Sequence, residues 1–280
     1  MDLCVSPQWL YHHQEDDQIV ILDASWYLPH MNRDAELEFE AGHIPKAMRF
    51  DIERVRDMST YLPHMLPSPD VFAREVGAMG ISNNHMIIVY DSVGLFSAPR
   101  VWWMFKVMGA KNVAILDGGL PAWIEADYSL VKGKEKRSPS VFTPVFDKKA
   151  VVGASDVLNA LKDKTFSVVD ARSSERFMGR VPEPRAGVKA GHMPGAKNIP
   201  YTMLIADGCL KPVNELQQVF KDAGVDVNTS IITTCGSGVT AAIISLALEK
   251  IGHPAKALYD GSWAQWGSRD DLPSRTLNLK

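Results

Sequence analysis

Short apolar runs alternate with longer segments of helical period along this chain. SVVD (167–170), IITTC (231–235) and KALYD (256–260) are almost continuously apolar or β-branched, which predicts strands buried on both faces. VNELQQVFKDAG (213–224) and TAAIISLALEKIG (240–252) carry apolar residues at helical spacing. Because such strands need helices over both faces, the pattern predicts an α/β fold with mainly parallel sheets.

The chain contains two copies of one sequence unit. The matching pairs are IVILDASWY (19–27) with SVVDARSSERF (167–177), AGHIPKA (41–47) with AGHMPGA (190–196), IIVYDSVG (87–94) with IITTCGSG (231–238), and LDGGLPAW (116–123) with YDGSWAQW (259–266). A repeat this long indicates tandem domains, since the repeats of solenoids are several times shorter. We therefore predict an N-terminal domain over 1–132 and a C-terminal domain over 151–280.

The segment 133–150 separates the two copies. It is rich in charge, contains Pro139 and Pro144, and has no helical periodicity. These features are typical of a linker whose KGKEKR part is solvated.

The length and charge of the chain exclude several classes of protein. At 280 residues, with 46 % hydrophobic and 22 % charged residues, the chain is too long for one compact core. The net charge of −3, without a basic face interleaved with aromatic residues, argues against a nucleic-acid partner. Residues 1–17 lack the basic start and apolar run of a secretory leader, and no apolar run reaches about eighteen residues, so we expect neither a leader nor a membrane span. We expect a cytoplasmic, monomeric protein that does not enter a membrane.

The three cysteines are Cys4, Cys209 and Cys235, which are far apart in the sequence. This spacing is typical of thiols in a reducing compartment and does not form a metal-ligand pair. We expect neither a metal nor a cofactor.

Cys235 follows a predicted strand and precedes a predicted helix, which is where parallel sheets gather their ligands. Gly236 and Gly238 allow the loop to turn its N–H groups inward, and these groups together with the helix N-terminus favour a thiolate. The alternative is a cysteine that serves only as a small buried hydrophobe. A phosphatase loop of the C-x5-R type is disfavoured, because the sixth residue after the cysteine is Ala241.

These segments, together with SAPRVWWMF (97–105) and CGSGVTAA (235–242), resemble the rhodanese superfamily of sulfurtransferases over nearly the whole chain. The resemblance implies that each copy is a rhodanese domain and that Cys235 carries sulfur as a persulfide, without a cofactor. Asp91 stands where Cys235 stands in the second copy. Since a carboxylate cannot carry sulfur, the N-terminal copy is implied to be catalytically inactive.

The loop sequence bears on the choice of sulfur donor. Thiosulfate-using members typically have basic residues where this chain has Gly236 and Ser237, so the neutral loop fits a monoanionic keto acid, 3-mercaptopyruvate, better than a dianion. The family pattern R-F-x-G-x-x-P-E-P-R implies that Arg176 and Arg185 bind the carboxylate and keto oxygen of the donor, although loop arginines are often merely solvated. The pattern does not fix the role of Arg180.

The implied reaction releases pyruvate and passes sulfur to cyanide, a small thiol or thioredoxin. Two alternatives stay open. One is a thiosulfate:cyanide sulfurtransferase, and the other is a non-catalytic persulfide carrier that receives sulfur from another enzyme.

Further site residues are expected around the thiol. Loop residues are expected to contact the substrate, namely Gly236, Gly238, Val239 and Thr240. Ser237 either donates a proton in the reaction or serves the turn alone. His64, in the HMLP segment, and Glu53 are expected to form a proton relay with Ser237, with Asp51 as the alternative acid. His43 and His192 occupy the same place in both copies, which favours a structural role.

Overall fold

The computed structural model describes residues 2–164 and 166–276 and divides them into two compact units. The first unit comprises 2–57, 66–147 and 207–210, and the second comprises the remaining described residues, including 58–65. The outer limits of the predicted domains, residues 1 and 280, lie outside the described residues. The segment that contains His64 therefore packs with the second unit.

The strands and helices of the described residues are short. The strands are β1 (Cys4–Val5), β2 (Ile19–Asp23), β3 (Ala47–Arg49), β4 (Met86–Tyr90), β5 (Val113–Leu116), β6 (Val151–Val152), β7 (Ser167–Asp170), β8 (Lys197–Asn198), β9 (Ile205–Ala206), β10 (Cys209–Leu210), β11 (Ile231–Thr234) and β12 (Ala257–Tyr259). The helices are α1 (Pro7–His13), α2 (Ala35–Ala41), α3 (Pro69–Ala78), α4 (Ala98–Val107), α5 (Gly119–Glu125), α6 (Ala154–Asp163), α7 (Ser174–Met178), α8 (Val213–Asp222), α9 (Ala241–Lys250) and α10 (Ser262–Trp266). Single 3₁₀ turns cover Pro29–Met31, Lys148–Ala150 and Tyr201–Leu204.

Each unit is built on one five-stranded parallel sheet. The strand order is β1-β5-β4-β2-β3 in the first unit and β6-β12-β11-β7-β8 in the second, so the two copies share one topology. Every residue of β2 and β11 is buried, as expected for strands covered on both faces. The predicted α/β fold with two parallel sheets flanked by helices is confirmed.

The register of the second sheet fixes where side chains gather. β11 pairs with β7 so that Thr234 lies opposite Asp170. Because parallel strands end at the same edge, the residues just after them, Cys235 and Ala171, leave the sheet side by side. The same register in the first unit pairs Asp23 with Tyr90.

Local signals start several helices. The side chains of Ser6, Asp34 and Ser68 accept hydrogen bonds from the first backbone N–H groups of α1, α2 and α3. The segment predicted as a linker is irregular until the 3₁₀ turn at Lys148–Ala150. Its Phe142 is buried against Phe72. No helix among the described residues has the length and apolar character needed to cross a membrane.

The two repeated histidines have the same surroundings in both units. His43 Nδ1 lies 2.8 Å from the carbonyl oxygen of Phe39, and its ring stacks on the Phe39 ring. His192 lies in the same way against Phe177, with its Nδ1 2.8 Å from the carbonyl oxygen. A shared packing role accounts for both residues.

Candidate active site

Cys235 is the first residue after β11, and its side chain is almost fully buried. The next residues form a tight loop that leads directly into α9, in which every residue from Ala241 to Leu248 is buried. Gly238 has φ 79°, a left-handed conformation that favours glycine. In this conformation its N–H donates to Cys235 Sγ at 3.1 Å. The loop backbone thus places a hydrogen-bond donor directly at the sulfur.

The other predicted loop residues lie between Cys235 and the start of α9. Ser237 and Val239 are buried, and Thr240 immediately precedes α9 as its N-cap. The carbonyl oxygens of Cys235 and Gly236 accept hydrogen bonds from the backbone of α10. These two loop carbonyls are therefore bound to α10, while the Gly238 N–H is bound to the sulfur.

Arg176 lies directly on this loop. It is part of α7, and its guanidinium sits so close to Gly236 that a Cβ atom there would be 2.9 Å from Arg176 Nη2. Only a glycine at 236 leaves the guanidinium this position without a shift. A cation therefore lies beside the residue that follows Cys235. Binding of a substrate carboxylate by Arg176 stays a prediction.

A buried ionic network holds Arg176. Glu183 is only 4 % exposed and pairs with both Arg176 and Arg172. The Arg172 guanidinium is fully buried, pairs with Asp170 at 2.7 Å and lies over the ring of Trp263. Sequence reasoning missed this network, although Glu183 stands inside the motif PEPR that was used to select Arg185. The sequence signal for this network was Glu183, an acidic residue two positions before Arg185 in a loop expected to bind an anion.

The two other arginines of this loop differ. Arg185 lies half-buried on a bend, two residues after Glu183. Arg180 is exposed and pairs with Glu175 at 3.2 Å, on the outer side of α7. Arg185 thus lies close to Glu183 in the sequence and is partly withdrawn from solvent, whereas Arg180 faces solvent.

The predicted relay residues fall in different units. His64 is buried in the second unit and has a left-handed φ of 56°. Glu53 belongs to the first unit, where it accepts a hydrogen bond from Trp26 Nε1 at 3.1 Å and lies 3.6 Å from Arg56. Asp51 caps the same turn by accepting the N–H of Glu53. The relay of His64, Glu53 and Ser237 stays a prediction.

The equivalent loop of the first unit is filled by its own side chain. The fully buried carboxylate of Asp91 accepts hydrogen bonds from the backbone N–H groups of Val93, Phe96, Ser97 and Ala98. Burial raises the pKa of Asp91 above its ordinary value, against the lowering effect of these four donors. In the first unit, the N–H groups of this loop therefore bind a carboxylate that the protein itself supplies.

A second group of polar side chains surrounds the loop that contains Asp91. Arg33 pairs with Glu38 and reaches Ser92, as Arg176 pairs with Glu183 and reaches Gly236. The hydroxyl of Tyr27 donates to Glu38, and its ring lies under the Arg33 guanidinium. Burial, with the Glu38 hydrogen bond, raises the pKa of Tyr27 to about 12. Tyr27 and Ser92 thus both contact the Arg33–Glu38 pair of the first unit.

All three cysteines lie in the described part of the chain and are thiols. Across residues 2–164 and 166–276, no three His, Cys, Asp or Glu side chains come together in an arrangement able to hold a metal ion.

The fold and this site define a class: a tandem α/β protein in which two equivalent strand-to-helix loops carry a buried thiol in one unit and a buried carboxylate in the other. The chain belongs to the rhodanese family, because the profile of the rhodanese-like domain matches residues 6–126 and 153–269.

Several individual proteins are similar to the chain over most of its length. The 3-mercaptopyruvate sulfurtransferase of Escherichia coli K12 is 44 % identical over 270 residues, covering 96 % of each chain. The mitochondrial thiosulfate/3-mercaptopyruvate sulfurtransferase 1 of Arabidopsis thaliana is 39 % identical over 296 residues, covering 98 % of this chain and 78 % of its own. The crystal structure of Escherichia coli SseA, described as showing the rhodanese fold of 3-mercaptopyruvate sulfotransferases, matches with a TM-score of 0.87 and 42 % identity over 94 % of this chain and 99 % of its own.

Proposed function

We propose that this protein is a 3-mercaptopyruvate sulfurtransferase in which Cys235 carries the transferred sulfur. The observation that supports this most is the position of the Arg176 guanidinium on Gly236, beside a thiol that accepts the Gly238 N–H. A neutral loop with one adjacent cation suits a monoanionic keto acid better than a compact dianion. The names of the similar proteins from Escherichia coli agree with this donor.

The first half-reaction needs only the chain's own groups. Cys235 thiolate attacks the thiol sulfur of 3-mercaptopyruvate, so that an S–S bond forms and the donor's C–S bond breaks. The electron pair of that bond passes to carbon as the enolate of pyruvate, which takes up the proton released by the donor thiol. Arg176 and Arg185 bind the carboxylate and keto oxygen, and this stabilises the developing enolate. Ser237 and His64 are the groups proposed to move the proton.

The second half-reaction restores the thiolate. An acceptor, either cyanide, a small thiol or thioredoxin, attacks the outer sulfur of the Cys235 persulfide and leaves with it. Cyanide becomes thiocyanate, and a thiol becomes a persulfide. Splitting the transfer into two displacements explains why one thiol serves both partners.

Thiosulfate is the second donor to consider, because the similar Arabidopsis protein is named for both donors. The experiment is intact mass spectrometry of wild type and Cys235→Ser after brief incubation with each donor, with pyruvate assayed in the same tubes. We expect mercaptopyruvate to add about 32 mass units, one sulfur atom, to wild type only, with stoichiometric pyruvate.

The other outcomes select between the alternatives. A mass gain from thiosulfate alone would replace the proposal by a thiosulfate sulfurtransferase. No gain from either donor would favour a carrier that is loaded by another enzyme. An equal gain on Cys235→Ser would remove Cys235 from the mechanism.

A further inference from the structure

Ser262, the first residue of α10, has an unusual backbone. Its φ is 47°, in the left-handed region that glycine adopts at little cost and other residues rarely do, and its side chain is fully buried. Strain of this kind persists where the surrounding structure requires it, and it concentrates at functional sites.

The Ser262 hydroxyl connects to the loop of the nucleophile. Its Oγ accepts the backbone N–H of Cys235 at 3.2 Å and the hydroxyl of Thr234 at 3.3 Å, and it donates to the carbonyl oxygen of Tyr259 at 2.8 Å. The donation to Tyr259 fixes the direction of the hydroxyl. Its lone pairs therefore point at the peptide group that carries Cys235.

The two residues after Ser262 also form hydrogen bonds with the loop that contains Cys235. The N–H of Trp263 donates to the carbonyl oxygen of Cys235 at 2.9 Å, and that of Ala264 donates to Gly236 at 2.8 Å. Ser262 thus begins a set of three hydrogen bonds that fix both backbone groups of Cys235 and the carbonyl of the next residue.

The first unit shows that the turn itself does not need a serine. The equivalent residue is Gly119, with φ 57°, and the following N–H, from Leu120, donates to the carbonyl oxygen of Asp91 at 3.0 Å. A Cβ atom at Gly119 would lie 2.4 Å from that same oxygen. The unit whose loop carries Asp91 makes this turn with glycine, and the unit whose loop carries Cys235 makes it with a strained serine.

We propose that Ser262 is a positioning residue for Cys235, whose hydroxyl holds the cysteine peptide so that the loop N–H groups, Gly238 foremost, face the sulfur. This inference rests on the proposed function, since it assumes that Cys235 is the nucleophile. The strain at Ser262 is then retained for the reactivity of the thiol rather than for the fold.

The test compares Ser262→Gly and Ser262→Ala with wild type. Ser262→Gly removes the whole CH2OH group and its hydrogen bonds but makes the left-handed backbone free of strain. Because these two effects on stability oppose each other, we expect a Tm close to that of wild type. Loss of alignment at the sulfur should slow the single-turnover release of pyruvate from mercaptopyruvate by about tenfold or more, with little change in KM. The pH profile of Cys235 alkylation by iodoacetamide should move to higher pH.

Ser262→Ala should show the same losses with a lower Tm, because it keeps the strain and leaves the Cys235 N–H without its acceptor. Lys164→Gly is the matched control. Lys164 is an exposed residue with a left-handed φ of 54° at the end of α6, so glycine there should raise Tm without changing turnover or alkylation.

An unchanged alkylation profile and pyruvate burst in Ser262→Gly would overturn the proposal. Failure of the proposed function is distinguishable, because alkylation measures the thiol without any sulfur donor. If wild type accepts sulfur from neither donor, a shifted alkylation profile in Ser262→Gly still supports the role of Ser262.

Discussion

At the scale of single residues, Glu183 determines where the arginine beside the thiol lies. It is a buried carboxylate between Arg172 and Arg176. Arg172 keeps Asp170 as a second partner, whereas Arg176 is held toward Gly236 by Glu183. An arginine positioned in advance loses less side-chain freedom when it binds a carboxylate.

Glu183→Gln should therefore weaken donor binding more than it slows the chemistry. We expect KM for mercaptopyruvate to rise about tenfold with a smaller change in kcat, because the charged hydrogen bonds that orient Arg176 are weakened. Stability should fall by about 1 to 3 kcal/mol, since buried charge-assisted hydrogen bonds are lost. Steady-state kinetics and thermal unfolding measure both effects.

Glu175→Gln is the control, because Glu175 lies on α7 with Arg176 but pairs with the exposed Arg180. It should leave KM within about twofold of wild type, as expected for an exposed ion pair. If both glutamines raise KM equally, the burial of Glu183 is not the cause.

Individual site residues can be predicted from the sequence only where a single position carries the chemistry. The sequence singles out Cys235 because a thiol between a strand and two glycines is unusual in itself. Arg172, Asp170 and Glu183 were missed because an ion pair depends on which loops the fold brings together, and spacing along the chain does not show this. Ser262 lies in the repeated segment YDGSWAQW, but the sequence does not show the strain in its backbone.

At the scale of elements, the loop after β11 and the helix α7 are fitted to each other. Gly236 leaves the space that the Arg176 guanidinium occupies. The contact is with the far end of a flexible side chain, so an added methyl group displaces the arginine rather than the backbone.

Gly236→Ala should therefore weaken the binding of the sulfur donor without lowering the stability of the fold. We expect Tm to change little and KM for mercaptopyruvate to rise several-fold, about 1 kcal/mol of lost binding. Gly153→Ala is the control in the same unit, since a Cβ there meets nothing closer than 3.7 Å and φ is −98°. A large loss of Tm in Gly236→Ala alone would show that the loop backbone, and not Arg176, absorbs the change.

The elements were predicted more completely than the side-chain network. The runs SVVD and IITTC are strands β7 and β11, and the apolar segment after Thr240 is α9. These predictions succeed because burial on both faces leaves a pattern within a few consecutive residues. Short strands such as β6 and β8, with two residues each, carry no such pattern and depend on their neighbours in the sheet.

At the scale of the whole molecule, titration of one buried histidine links stability to pH. Burial lowers the pKa of His192 below its ordinary value of 6.5, with Arg172 and Arg275 acting in the same direction. The unfolded chain therefore binds a proton at a higher pH than the folded chain does. Stability is full above about pH 6.5 and is lost as the pH falls through the lowered pKa of His192.

Thermal unfolding from pH 8 to pH 5 measures this effect. Wild type should lose stability below about pH 6.5, and His192→Gln should lose less, because glutamine does not titrate. His12→Gln, an exposed change on α1, should follow wild type. Parallel curves for wild type and His192→Gln would assign the acid sensitivity to other groups.

The self-filled loop of the first unit has a practical consequence for following the enzyme at work. Its four donating amides, those of residues 93, 96, 97 and 98, are bound to a carboxylate that no sulfur donor, cyanide or alkylating agent converts. Their deuterium uptake should stay constant while that of residues 236–240 changes with the charge on Cys235. The protein thus carries an internal reference for hydrogen-exchange measurements, built from the same loop in a chemically inert form.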